Sequence, residues 1–121
     1  MRLLTFLALA SSFFFISCND DDPIDDLPAC VKEKFDTFKD EACSGGLIAG
    51  GGNLVKFRFR TEEVYCFNWG SSCAEGRERV IEIWSVDCDV ICPLGGPAGL
   101  TSCDGVPWEG NAVELETIWQ N

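Results

Sequence analysis

The sequence predicts a small α+β domain in which one amphipathic helix packs on an antiparallel sheet and disulfide bonds staple the two together. Three observations predict it: a helical repeat of apolar residues after position 30, a strict two-residue alternation between positions 54 and 60, and eight cysteines in 121 residues. A domain of this size buries a modest share of its surface, so disulfides commonly supplement its core where the compartment is oxidising.

The predicted helix extends from Cys30 to Ala42. Its apolar residues recur at i, i+4, i+7 and i+11, with charged residues between them. This spacing is typical of an amphipathic helix with one buried face. Pro28 suits the first turn of such a helix because its backbone angle is already fixed.

Five further segments favour strands. Residues 54–60 alternate between apolar and cationic side chains, and residues 64–67 follow after a short turn, which predicts an antiparallel hairpin. Residues 80–86 carry apolar side chains on both faces, as expected of a central strand. Short strand or turn segments are expected near 90–92, while residues 113–119 either close the sheet or form a second helix. No internal repeat is evident.

The N-terminal residues are typical of an export signal. Arg2 precedes an apolar run that ends at Ile16, and this run is shorter than the roughly 20 residues that a transmembrane helix needs. The four residues Phe15-Ile16-Ser17-Cys18 resemble the lipobox of bacterial lipoproteins, with phenylalanine where leucine is usual. The resemblance implies that residues 1–17 are a signal peptide and that Cys18 is acylated and anchors the chain in a membrane.

Residues 18–28 are predicted to be the lipidated cysteine and an acidic tether, followed by one domain over residues 29–121. The segment 19–28 holds five aspartates and two prolines, a composition too charged to pack into a core. The acidic run after Cys18 also resembles the export tag of surface lipoproteins in some Gram-negative bacteria. That resemblance implies an outer-membrane lipoprotein at the cell surface, although orientation towards the periplasm or the exterior stays open.

The mature chain carries a set of landmark residues: Val64-Tyr65, Phe67, Cys73, Asp87-Cys88, Leu94-Gly95-Gly96, Gly99 and Ile118-Trp119. This set resembles an uncharacterised family of small cysteine-containing bacterial lipoproteins, a domain of unknown function. The resemblance covers about Cys30 to Asn121 and implies no activity. It implies that Cys30, Cys43, Cys73 and Cys88 are the regular cysteines, and that Cys92 and Cys103 form an additional pair.

The length of the helix restricts the disulfide pattern. At 1.5 Å per residue the predicted helix separates Cys30 from Cys43 by about 20 Å, whereas bridged Cα atoms lie roughly 4.4–6.8 Å apart. These two cysteines therefore cannot bond each other. Each should tie one end of the helix to Cys73 or Cys88, in an order that stays open.

The remaining cysteines predict one loop staple and one free thiol. Residues 93–102 are rich in glycine and proline, so they are expected to form a surface loop that lets Cys92 and Cys103 meet. Once Cys18 is lipidated, seven cysteines remain, and a monomer must leave one of them unpaired. We expect this to be Cys66, which lies mid-strand and suits a small buried apolar side chain.

Composition excludes several functions. The chain has no histidine, which rules out Ser-His-Asp and Cys-His catalysis and histidine-ligated zinc. Twenty acidic residues against nine basic ones give a net charge of -11, which disfavours nucleic acid as a partner. We expect no cofactor and no metal, because residues 20–25 lack the glycine of an EF-hand loop and the cysteines lack paired C-x-x-C spacing.

Neither the acidic pairs nor the tryptophans identify a catalytic site. Twenty acids place some carboxylates side by side by chance, as at Asp87 and Asp89 or at Glu62 and Glu63, and such pairs are expected on solvated surface. Tryptophan can line a peptide or glycan site, but in a small domain it usually belongs to the core. The four tryptophans are Trp69, Trp84, Trp108 and Trp119.

The sequence therefore predicts a monomeric, non-enzymatic envelope protein, held at the membrane by its N-terminal lipid. Its domain binds a protein, a peptide or a glycan, or serves the envelope structurally. Two alternatives stay open. One is a hydrolase that uses carboxylates, and the other is an inhibitor that presents the loop between Cys92 and Cys103 to a foreign hydrolase.

Overall fold

The structure is a computed structural model that describes residues 22–44, 50–70, 80–96 and 98–121. Its elements are α1 (Ala29–Glu41), β1 (Asn53–Phe59), β2 (Glu62–Asn68), β3 (Val80–Ser85), β4 (Val90–Gly95), β5 (Ser102–Cys103), β6 (Val106–Pro107) and β7 (Ala112–Gln120). Five strands form one antiparallel sheet in the order β4-β3-β2-β1-β7, β5 pairs with β6, and one helix completes the described fold. This architecture confirms the α+β prediction.

Helix α1 packs its apolar stripe on one face of the sheet. Its buried side chains are Val31, Phe35 and Phe38, the residues whose spacing predicted the helix. They form one core cluster with sheet residues Leu54, Tyr65, Phe67 and Ile118. We call this side of the sheet the helix face.

The opposite side, which we call the open face, carries the other half of each strand's alternation. In β1, Phe57 and Phe59 lie on it, because successive side chains of a strand point to opposite sides. Phe59 packs there with Val64, Ile83 and the Cys92–Cys103 disulfide in a second core cluster. Both faces of the sheet are therefore apolar, and α1 covers only one of them.

Two chain segments differ from their predicted form, and a third had two predicted alternatives. The β1–β2 turn consists of two residues instead of three, because Phe59 already pairs with Glu62 and Arg60 adopts a φ of 60°. The segment near the C-terminus, predicted as a strand or a helix, is a strand, β7, which pairs with β1. The predicted loop after Cys92 is wrong for residues 93–95, which continue β4. Pro93 is tolerated because β4 is an edge strand of the sheet.

The packed domain begins before the predicted boundary at Ala29. Leu27 is buried in the helix-face cluster, and Ile24 packs against it. Asp25 accepts a 3.2 Å hydrogen bond from the Nζ of Lys32 in α1. Apolar residues spaced three apart among the aspartates are enough to fold this end of the predicted tether against the helix.

Two of the predicted disulfide features are confirmed. Cys30 at the start of α1 bonds Cys88, with Cα atoms 6.0 Å apart, and Cys92 bonds Cys103, with Cα atoms 5.3 Å apart. Cys43 just after α1 is also disulfide-bonded. Cys73, the candidate partner that remains for Cys43, lies outside the described residues.

The predicted signal peptide and Cys18 also lie outside the described residues. Within the described ranges, no helix is long and apolar enough to cross a bilayer.

Candidate ligand-binding groove

A groove of about 630 Å³ lies on the open face. Its floor includes Val55, Phe57, Cys66 and Ile81, which come from the three neighbouring strands β1, β2 and β3. Its volume falls within the range of small-ligand sites, roughly 300–1,000 Å³. We refer to this cavity as the groove.

Strand register explains the composition of the floor. One row across the sheet pairs Gln120 with Asn53 and Asn53 with Asn68, so three carboxamide residues stand side by side at one end. The next row pairs Thr117 with Val55 and Val55 with Cys66. The floor therefore changes from polar amides to apolar side chains along the strands.

The third row leads to an aromatic and acidic end. Glu114 of β7 pairs with Phe57 of β1. The ring of Trp108 lies 5.2 Å from the ring of Phe57 and stacks on that of Phe59 at 5.0 Å, with 27° between the planes. Trp108 thus closes this end of the groove and covers the aromatic part of β1.

The wall of the groove is the segment between β4 and β7. Gly95 and Leu100 exchange backbone hydrogen bonds of 2.7 and 3.0 Å, and the Trp108 N–H donates to the Thr101 carbonyl at 2.9 Å. The Cys92–Cys103 disulfide joins this segment to β4. Covalent and hydrogen-bonded links therefore fix the wall on the sheet.

Two carboxylates, Glu109 and Glu114, line the groove and form what we call its acidic rim, and both residues are exposed. Among the described lining residues there is no lysine or arginine. Glu114 accepts a long hydrogen bond from the Thr117 hydroxyl. Neither glutamate forms an ion pair with a cation of the described chain. This rim is thus electrostatically unbalanced, and it favours a positively charged ligand group.

Cys66 is a buried free cysteine in the floor of the groove, with 8% of its surface exposed. Burial raises the pKa of the Cys66 thiol to about 12. Because the thiolate is the nucleophilic form of cysteine, this side chain contributes shape and apolar surface rather than nucleophilic chemistry at neutral pH.

Of the four tryptophans, only Trp108 lines the groove; the other three pack on the helix-face cluster. Trp69 and Trp84 hold Lys34 between them, with its Nζ 5.3 and 5.0 Å from their ring centroids. The Trp84 indole N–H donates to Glu82, which also pairs with Lys34. Trp69, Trp84 and Trp119 therefore have the core role that sequence reasoning favoured.

The acidic pairs are separated from the groove. Asp87 and Asp89 line another cleft, of about 530 Å³, together with Glu62 and Asp104. Glu63 instead lies 3.8 Å from the Nζ of Lys56, because neighbouring strand residues point to opposite faces. Among the described residues, no three potential ligands are grouped closely enough to hold a metal ion.

The segment between Cys92 and Cys103 differs from the predicted recognition loop. Leu94 is 5% exposed and belongs to the core, whereas Leu100 is 44% exposed. Folding of this segment onto the open face withdraws Leu94 from solvent. Only part of the expected apolar edge is thus displayed.

The residues that sequence reasoning missed are the groove's amides and carboxylates. Asn53, Asn68, Glu109, Glu114 and Gln120 form no local motif, since strand pairing and loop packing bring them together. No local signal marks them, because the bulges in the β1–β7 pairing bring Glu114, Thr117 and Gln120 to the groove at a spacing of three.

Comparison of the chain with known protein families, with curated proteins and with solved structures finds no match. The groove geometry and the chemistry of its residues therefore carry the functional argument.

Proposed function

We propose that this protein is an exported, lipid-anchored binding module of the bacterial cell envelope, which holds its ligand in the groove. Residues 1–17 are its signal peptide, Cys18 carries the lipid, and a tether connects it to the domain. The protein is a non-enzymatic monomer of the outer membrane and does not bind nucleic acid. It belongs with the cysteine-containing lipoproteins that its landmarks resemble.

The observation that carries this proposal is the groove itself. An apolar floor with a few polar groups at its ends is the usual composition of a ligand site. The wall is fixed by the Cys92–Cys103 disulfide, so little conformational order has to be created on binding. Disulfides within the described domain support export to an oxidising compartment.

Binding is favoured over catalysis by the state of the groove's reactive groups. The thiol of Cys66 is held protonated by burial. The carboxylates of Glu109 and Glu114 are exposed, whereas a carboxylic acid that transfers protons at neutral pH is usually desolvated. These groups suit recognition of a ligand rather than its chemical conversion.

The binding claim is tested by filling the groove. Thr117 is exposed and lines the groove, so Thr117→Phe should occupy part of its volume without disturbing the core. Small apolar amides should shift NMR resonances of Val55 and the Trp108 indole in the wild-type chain, and Thr117→Phe should remove these shifts.

Val113→Phe is the matched control. Val113 lies on the same strand, is 57% exposed and pairs with Arg58, so its side chain points to the helix face. This variant should keep the fragment-induced shifts. Shifts that survive Thr117→Phe, or that cluster around Asp87 and Asp89, would contradict the proposed site.

The anchor claim is tested by Cys18→Ser. The wild-type chain should incorporate a radiolabelled fatty acid and fractionate with membranes, and the variant should do neither. A wild-type chain without label would remove the lipid anchor from the proposal and leave the groove unaffected.

A further inference from the structure

We infer that the ligand of the groove is a short peptide segment in which an apolar side chain stands next to a basic one. This inference rests on the proposed binding function and specifies the chemistry of its ligand. It follows from the order in which amide, apolar and acidic residues occur along the groove.

The acidic rim selects the charge of the ligand. Glu109 and Glu114 line one side of the groove, and neither has a cationic partner in the described chain. A lysine or arginine beside them would offset part of their negative charge while its aliphatic stem covers Trp108 or Phe57. An anionic ligand would be repelled there, as it would be by the net charge of -11.

The apolar middle selects the neighbouring side chain. Val55, Cys66 and Ile81 offer an apolar floor whose only polar hydrogen is that of the protonated thiol. The Thr117 hydroxyl in the same row already donates to Glu114. A sugar hydroxyl placed on this floor would lose its water partners without replacement. An aliphatic side chain loses nothing there, which favours leucine, isoleucine or valine over a glycan.

The amide row selects a peptide backbone. Asn53, Asn68 and Gln120 stand in one row at the end of the groove. The Oδ1 of Asn68 already accepts from the Gly70 N–H at 2.9 Å, so the NH₂ group is the part of this side chain that can donate to a ligand. Carboxamides both donate and accept, as needed to pair the N–H and C=O groups of an extended peptide.

The test uses three capped hexapeptides titrated calorimetrically into the full chain. One alternates leucine with lysine, the second replaces lysine with glutamate, and the third replaces leucine with serine. We expect the leucine–lysine peptide to bind and the other two to bind at least about tenfold more weakly. The affinity of the leucine–lysine peptide should decrease when the salt concentration is raised from about 0.02 M to about 0.5 M, because salt screens exposed charges.

Two double variants test whether the acidic rim contributes to binding of the leucine–lysine peptide. Glu109→Gln with Glu114→Gln should weaken the leucine–lysine peptide about fivefold at low salt, as expected from two exposed charge pairs, and by less at high salt. The control combines Glu33→Gln with Glu41→Gln, which makes the same charge change on the exposed side of α1. This control should leave the affinity within about twofold.

The outcomes separate the ligand class from the proposed function. Equal binding of the leucine–glutamate peptide, or an unchanged affinity in the rim variant, would contradict the claim that the ligand is basic. Equal binding of hexylamine, which has no peptide bond, would contradict the claim that the ligand is a peptide. If no hexapeptide binds while small amides still shift groove resonances, this inference fails and the binding function stands. If neither binds, both fail.

Discussion

The two faces of the sheet are built from the same strands, but their aromatic side chains are buried to different extents. On the helix face, Phe38 is fully buried, with ring centroids 5.1 Å from Phe67, 5.0 Å from Trp69 and 5.7 Å from Trp119. On the open face, Phe57 is covered by Trp108 and still lines a groove. A packed helix can cover one face of a sheet completely, whereas a short irregular segment covers a face only in part and leaves a cavity.

Removal of Phe38 should have the largest effect. Phe38→Ala deletes the centre of the helix-face core, and such a truncation should lower the free energy of unfolding by about 3–5 kcal/mol. Phe57→Ala on the open face should cost only about 1–2 kcal/mol, because this ring is partly exposed. Urea denaturation of both variants measures the difference. Equal losses would show that the two faces do not differ in packing.

The disulfide of the helix face should follow. Cys30 and Cys88 are 58 residues apart. Closing a loop of that length restricts the unfolded chain and so stabilises the fold by about 4 kcal/mol. Replacing both cysteines with alanine should lower stability by about this amount, measured by urea denaturation without reductant. Fragment-induced shifts in the groove should persist under native conditions. If they vanished while the domain stayed folded, the two faces would be coupled.

Removal of the open-face disulfide should lower stability less, and ligand affinity more, than removal of the helix-face disulfide. Cys92 and Cys103 are 11 residues apart, and closing a loop of that length in the unfolded chain stabilises the fold by about 3 kcal/mol. Replacing both with alanine should also loosen the groove wall, so affinity for groove ligands should fall in a domain that is still folded. Thermal denaturation and NMR titration report the two effects separately. A lowered melting temperature with full affinity would make this bridge a plain staple.

The helix face was readable from sequence because its determinants are local. The spacing of Val31, Phe35 and Phe38 predicts both the helix and its buried side. Helix length alone excludes a bond between Cys30 and Cys43. The choice of Cys88 as the partner of Cys30 required the position of the β3–β4 turn, which depends on how the strands pair.

The groove was not readable because its register is irregular. The β1–β7 pairing shifts between Leu54 and Val55 and again between Lys56 and Phe57. As a result, the β7 residues that line the groove, Glu114, Thr117 and Gln120, are spaced by three instead of two. Such bulges redirect side chains without a sequence signal that one chain reveals. Exposed Glu109 comes from the loop before β7, whose position depends on the packing of Trp108.

The smallest expected effect concerns the thiol in the groove floor. Burial raises the pKa of Cys66 from 9.0 to about 12. A group whose pKa is raised in the folded state stabilises it fully below the unfolded value, and this contribution is lost as pH rises towards the folded value. At about pH 10 the unfolded thiol is ionised and the folded one is not, so stability should be lower than at neutral pH by on the order of 1 kcal/mol. The pKa of Tyr65 is also raised, by burial and by Glu63 and Glu116. Comparison with Cys66→Ala, which keeps Tyr65, isolates the thiol: the variant should lose less stability than the wild type between about pH 7 and about pH 10. Parallel losses, or rapid alkylation of Cys66 in the native protein at neutral pH, would show that the floor of the groove is open to water.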